Sequence, residues 1–311
     1  MPNHRNVLPL ACLLLACTLS PAMAMDLPPA PDDPQSRDSL QQARVMFERT
    51  QTAGFLDMPA QPQPWPCAVS ELQLRRWTSP MALGDDEVDE KSSKIQAKIV
   101  RGMGMGRGEM KTSIGDVRHA PIVASCKDGK LDGALEFVIE FTRSTDMPTM
   151  RMDMRMRTRV HVQVAAGESN PSAGQSSASI QLSQRNTFKD PATQALMQKN
   201  PAPESKLAMA THSVAVASDP SNGYSATISE TRIGNGPSEW STLLAQPTGP
   251  ATMVTTMYAG SKVWTVTRTR NGLPHGEMKT YPIVKAGLQM PGSTRCYENG
   301  EEIKTAQCDV Q

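Results

Sequence analysis

This sequence predicts a mainly β fold, an antiparallel sheet or meander of β-hairpins with a short N-terminal helix, on three observations. Four Asn-Gly and two Asp-Gly dipeptides punctuate the chain, and such pairs take the left-handed dihedrals of tight turns between antiparallel strands. Residues Met152 to Val164 alternate strictly, which is the period of a strand with one face buried. The pentapeptide Gly108-Glu109-Met110-Lys111-Thr112 returns as Gly276-Glu277-Met278-Lys279-Thr280, each copy followed by a cysteine, Cys126 or Cys296, just ahead of a turn dipeptide. That shared order marks an internal repeat.

Residues 1–24 read as a signal peptide: Arg5 gives the basic start, Val7 to Leu19 the apolar run, and Ala22-Met23-Ala24 a small-residue cleavage site. A competing reading takes Leu14-Leu15-Ala16-Cys17 as a lipoprotein box, which yields an outer-membrane lipoprotein lidded by lipid at Cys17. Residues 25–66 form a proline-rich tether with one helix over Ser36 to Ala53, where Leu40, Ala43, Phe47 and Thr50 recur at helical spacing and Gly54 supplies a stop. Residues 67–165 are the first hairpin region. In it the acidic run Asp85 to Glu90 lacks the glycine and distal glutamate of a calcium loop. Gly102, Gly104, Gly106 and Gly108 alternate along a strand, Asp128-Gly129 turns a hairpin, and Leu135, Phe137, Ile139 and Phe141 make the clearest core stripe.

Residues 166–251 read as a β-rich insert. It holds a flexible loop over 166–177, strands at Ser179 to Arg185, Val214 to Ala217 and Tyr224 to Ile233, a short helix over Ala192 to Gln198, and a helical turn or two over Glu239 to Gln246. Residues 252–311, the second hairpin region, carry a meander of Thr252 to Tyr258, Val263 to Thr269 and Glu277 to Val284, turning at Gly260-Ser261 and Asn271-Gly272.

Without the signal, which takes Arg5 from the 32 Lys and Arg, basic residues equal the 31 acids. No global field then draws nucleic acid or an anionic membrane. No later stretch approaches the ~20 apolar residues of a transmembrane helix, so the expected location is periplasmic or secreted and the expected partner is an envelope protein or lipid surface. Aromatics are only 4% while methionine numbers 20, so thioethers must fill much of the interior. Cys67, Cys126, Cys296 and Cys308 remain, an even set suited to an oxidising compartment. Three connectivities are open. The matching repeat positions favour Cys67–Cys126 with Cys296–Cys308, although a tight Asn299-Gly300 hairpin sets Cys296 opposite Ile303 and obliges Cys308 to fold back.

Asn271-Gly272-Leu273-Pro274-His275-Gly276-Glu277-Met278-Lys279-Thr280-Tyr281 and Cys126-Lys127-Asp128-Gly129-Lys130-Leu131-Asp132-Gly133-Ala134-Leu135-Glu136-Phe137 resemble the bacterial variant of the MORN repeat, and Cys296-Tyr297-Glu298-Asn299-Gly300-Glu301 resembles the start of a third copy. In that family a turn bearing Asn-Gly or Asp-Gly is followed by a second glycine and an aromatic-bearing strand. The resemblance implies hairpins laid side by side in an elongated sheet, with binding or scaffolding rather than catalysis. Two features depart from the family pattern: about 130 residues separate the first copy from the second, and Met278 stands where an aromatic is usual.

One cluster offers metal chemistry. Met147, Met150, Met152, Met154 and Met156 gather in sequence, alternation puts Met152, Met154 and Met156 on one strand face about 7 Å apart, and thioether sulfur is a soft ligand for Cu(I), with Met150, Met152, Met154 and Met156 the candidate ligands. The same methionines also continue the face of Val160, Val162 and Val164, which makes them core. The opposite face carries Arg155, Arg157, Arg159 and His161, a basic stripe that faces Glu136 and Glu140 of the preceding strand. His119, His161, His212 and His275 sit in no HExxH or GxSxG context. The function expected is therefore a non-catalytic, envelope-associated binding or scaffolding protein. A periplasmic methionine-type copper protein is the first alternative and a hydrolase with an unrecognised site the second.

Overall fold

A computed structural model describes residues 28–78, 111–147, 150–169, 176–189, 191, 206–219, 222–285, 288–304 and 308. Helix α1 (Pro34–Thr50) starts where the Asp33 carboxylate accepts the Ser36 backbone N–H at 2.7 Å, with Pro34 in the first turn, where its missing N–H costs nothing. It buries Leu40, Ala43, Phe47 and Thr50, the four positions its spacing predicts. A second helix, α2 (Glu71–Thr78), exceeds the sequence expectation. Its start is capped by Ser70, whose Oγ accepts the Gln73 N–H at 3.1 Å, while the Gln73 side-chain amide donates to the Gly167 carbonyl.

All else is β. One 14-stranded antiparallel sheet runs as a meander through β1 (Lys111–Val123), β4 (Gly133–Asp146), β5 (Met150–Ala165), β7 (Ser176–Phe188), β8 (Lys206–Asp219), β9 (Tyr224–Ile233), β10 (Ser238–Gly249), β11 (Thr252–Ala259), β12 (Lys262–Arg270), β14 (Gly276–Thr280), β17 (Ser293–Glu298) and β18 (Glu301–Ile303). The short β6 (Glu168–Ser169) and β13 (Leu273–Pro274) pair onto β5 and β12. Two hairpins stand apart, β2 (Cys126–Lys127) with β3 (Lys130–Leu131) and β15 (Ile283–Lys285) with β16 (Leu288–Met290). Predicted turns join β2 to β3 and β12 to β13: Asp128 and Gly129 both have positive φ, as do Asn271 and Gly272.

Register divides the sheet into two faces, and each helix takes a different one. The row Phe137, Val160, Ala178, Ala215, Thr227, Leu243, Met257 lies on the α2 face. At its β4–β5 end Leu74, Leu135, Phe137, Ile139, Phe141, Val160 and Val164 form a core, with Trp65 and Trp77 packed against it. The adjacent row Val138, Arg159, Ser179, Val214, Ile228, Thr242, Tyr258 points the other way. On that α1 face Leu40, Ala43 and Phe47 meet Val214, Val216, Ala226, Ile228 and Leu244 in a second core. Burying apolar area on opposite faces over different strands lets one layer of strands hold two separate cores.

Several expectations are corrected. Glu239 to Gln246 is strand β10, not helix: Trp240, Thr242 and Leu244 face α1 while Leu243 and Ala245 face the other side, a period of two. The loop at 166–177 is shorter, since Ala166-Gly167 turns directly into β6 and β7 begins at Ser176. The strand expected over Glu277 to Val284 stops at Thr280 and restarts at Ile283 in a separate hairpin, because Pro282 has no N–H to give the ladder. The signal peptide, Cys17, the acidic run, the alternating glycines and the 192–198 helix lie outside the described residues. Of the two pentapeptides, Lys111 and Thr112 open edge strand β1, and Gly276–Thr280 is β14, held between β12 and β17.

Candidate functional site

The basic stripe on β5 is a lattice of ion pairs. Glu140, 5% exposed, accepts from Arg155 at 2.9 Å, from Arg157 at 2.8 Å and from Arg118 across β1. Arg157 also donates to Asp57 at 2.6 Å. Arg159 donates to Glu136 at 2.6 Å and to the Phe55 carbonyl at 3.0 Å, its guanidinium 4.3 Å from the Phe55 ring centre. Burial alone would raise the Glu140 pKa, but the hydrogen bonds from Arg118, Arg157 and Arg155 outweigh it and hold the carboxyl at about 2. Arg157 and Arg159 thus clamp the segment after α1 onto the sheet. His161 lies one row on, opposite Glu136.

Met150, Met152, Met154 and Met156 share the α2 face with Val160, Val162 and Val164, as their alternation requires. Met156 packs against the α2 core, while Met152 and Met154 are half-buried on the stretch beyond it. Across β7, Met154 shares its row with Gln184 and Met209. The cysteines divide. Cys296 and Cys308 are bonded, with Cα atoms 5.6 Å apart, and Cys296 does stand opposite Ile303 so that the chain folds back. Cys67 and Cys126 are thiols in contact, and burial followed by the Cys126 neighbour pushes the Cys67 thiol up to about 11.

The histidines are dispersed. His119 accepts from Trp65 Nε1 at 3.0 Å, under the α2 core, and His275 faces the Asn299 N–H at 3.5 Å. His212 sits beneath Phe47, ring centres 4.9 Å apart, with Gln51 3.3 Å from its Nδ1. Burial lowers its pKa, against an opposing pull from Glu230 directly across on β9. His212 and Glu230 line a cavity of about 230 Å³ with Gln181, Arg232 and Ser238. The sequence shows none of this pairing, because residues 212 and 230 meet only through the β8–β9 register. Among the described residues no group of three or more His, Cys, Asp or Glu is placed to hold a metal ion, and no helix is long and apolar enough to cross a membrane.

Compared with family models, with curated proteins and with solved structures, the chain matches none of them. Function rests on geometry alone.

Proposed function

We propose that this chain is an exported, periplasmic or envelope-associated module that binds or scaffolds rather than catalyses, its hairpins laid in the manner of MORN-like repeats. The observation that supports this best is the breadth of one sheet face. The α2 core reaches no farther across the sheet than Ala178 on β7. From β9 to β12 the same face presents Ser229, Leu243, Thr255, Met257 and Thr267, all half-buried and outside both helix-packed cores among the described residues. Small hydroxyls mixed with Leu and Met suit contact with a protein or amphiphile, being apolar enough to bury and polar enough to stay soluble alone. Photocrosslinkers at Ser229 and Thr255 are expected to trap one discrete envelope component, and one at Val45, exposed on α1, is not. Equal labelling at all three positions, or none, rules the reading out.

A second reading, Cu(I) held by Met150, Met152, Met154 and Met156, draws on the half-buried placement of these methionines along one face of β5. Tight Cu(I) binding that survives replacing Met152, Met154 and Met156 by Leu dismisses it, as does the lack of any such binding.

A further inference from the structure

The α1 face carries a groove that the basic stripe of β5 does not reveal. Register sets Thr142, Arg155, Ser183, Ala210 and Arg232 in one row across β4, β5, β7, β8 and β9. In the next row stand Ser144, Asp153, Arg185 and Ala208. Ser183, Ala210 and Ala208 make a floor of small side chains, and Arg155, Arg185 and Arg232 rise around it, lining a cavity of about 640 Å³. Three inter-strand steps separate Arg155 from Arg232, roughly 14 Å between their Cα atoms, so both long side chains can lean inward over the floor.

The charge there is in excess. Arg155 shares the single Glu140 carboxylate with Arg118 and Arg157. Among the described residues Arg185 has the field of Asp153, which already accepts from Ser144 at 2.7 Å and Arg151 at 3.0 Å. Arg232 is exposed and forms no ion pair among the described residues, the nearest acid on its strand face being Glu230 two positions back. Three guanidiniums lining one cavity over a floor of small side chains suit an anion with several oxygens, since each fork donates two parallel hydrogen bonds.

We propose that this groove binds a phosphate group, whether of a free phosphate ester or ion or of a lipid headgroup. The assignment names a ligand for the binding role proposed above and rests on that reading, but it uses the opposite face of the sheet. Two probes separate the sources: inorganic phosphate titrated into the mature protein at low salt, and flotation with phosphatidylcholine vesicles with and without phosphatidic acid. Saturable phosphate binding, or flotation that needs phosphatidic acid, is expected, and which of the two occurs identifies the source. Arg185→Gln with Arg232→Gln should weaken it by about tenfold or more, while Lys262→Gln, at a distant turn, leaves it unchanged. Neither residue supports a core, so the double variant should keep the wild-type circular dichroism and melting curve. Absence of both binding signals, or binding indifferent to the double variant, overturns the proposal. The Ser229 and Thr255 crosslinks, on the other face, are expected to persist in that variant, so loss of the groove and loss of the broader reading are told apart.

Discussion

Glu140 on β4 and His212 on β8 stand on the same face of the sheet, with β5 and β7 between them, and respond to acid in different windows. The carboxyl of Glu140 falls from an ordinary 4.5 to about 2 in the folded protein, so its contribution is complete above pH 4.5 and is lost as pH falls towards 2. Arg118 and Arg155 are 63% and 58% exposed, and the water around them reduces the contribution to about 2 kcal/mol. Glu140→Gln should cost about that much in urea unfolding at pH 7, and its deficit should vanish near pH 2. An equal deficit at both pH values would show that packing, not charge, is lost. For His212 the sign reverses in origin: its pKa is lowered from 6.5 by burial, so below pH 6.5 the unfolded chain takes the proton first and stability falls. His212→Gln should flatten the loss between pH 7.5 and 5.5, and a slope that persists places the titrating group elsewhere.

Among the elements, those whose period is unmixed were readable and those whose signal is divided were not. The Leu135, Phe137, Ile139, Phe141 stripe and the β5 alternation announce themselves because one face is apolar and the other charged. Strand β10 does not, since Leu243, Leu244 and Ala245 are consecutive and bury on both faces, and a run of that kind has no period to read. Helix α2 went unread, its one signal being the Ser70 cap with only about two turns of helix behind it. It matters to the core all the same, because Leu74 is fully buried and Trp77 lies against Phe137 with ring centres 6.3 Å apart. Ser70→Ala should cost about 1 kcal/mol, measured by thermal unfolding, with Ser70→Asp restoring it. Failure of Asp to rescue would mean the hydroxyl acts in some way other than capping. The groove was illegible for a plainer reason: Arg155, Arg185 and Arg232 belong to three strands, and only the accumulated register sets them around Ser183 and Ala210.

At the scale of the molecule, one sheet serves two cores that do not touch. The α2 core ends at Ala178 on β7, and the α1 core begins at Val214 on β8. Strand β7 is the seam, with Ser179 its one fully buried residue and Ile180 and Leu182 only half-buried. Its hydrogen bonds are continuous with both neighbours, but little apolar area holds it from either face, and local opening free energies follow such burial. Hydrogen exchange should therefore find β7 less protected than β4 and β5 on one side and β8 and β9 on the other. Phe47→Ala removes the ring that packs beneath α1 against His212 and Trp240, a loss of about 3–5 kcal/mol for a buried phenylalanine. Because the cores meet only through β7, that loss should speed exchange in β8, β9 and β10 and leave β4 and β5 at wild-type rates. Uniform acceleration across all five strands would instead mean that the ladder alone couples the halves, and that the sheet opens as a single unit despite its divided interior.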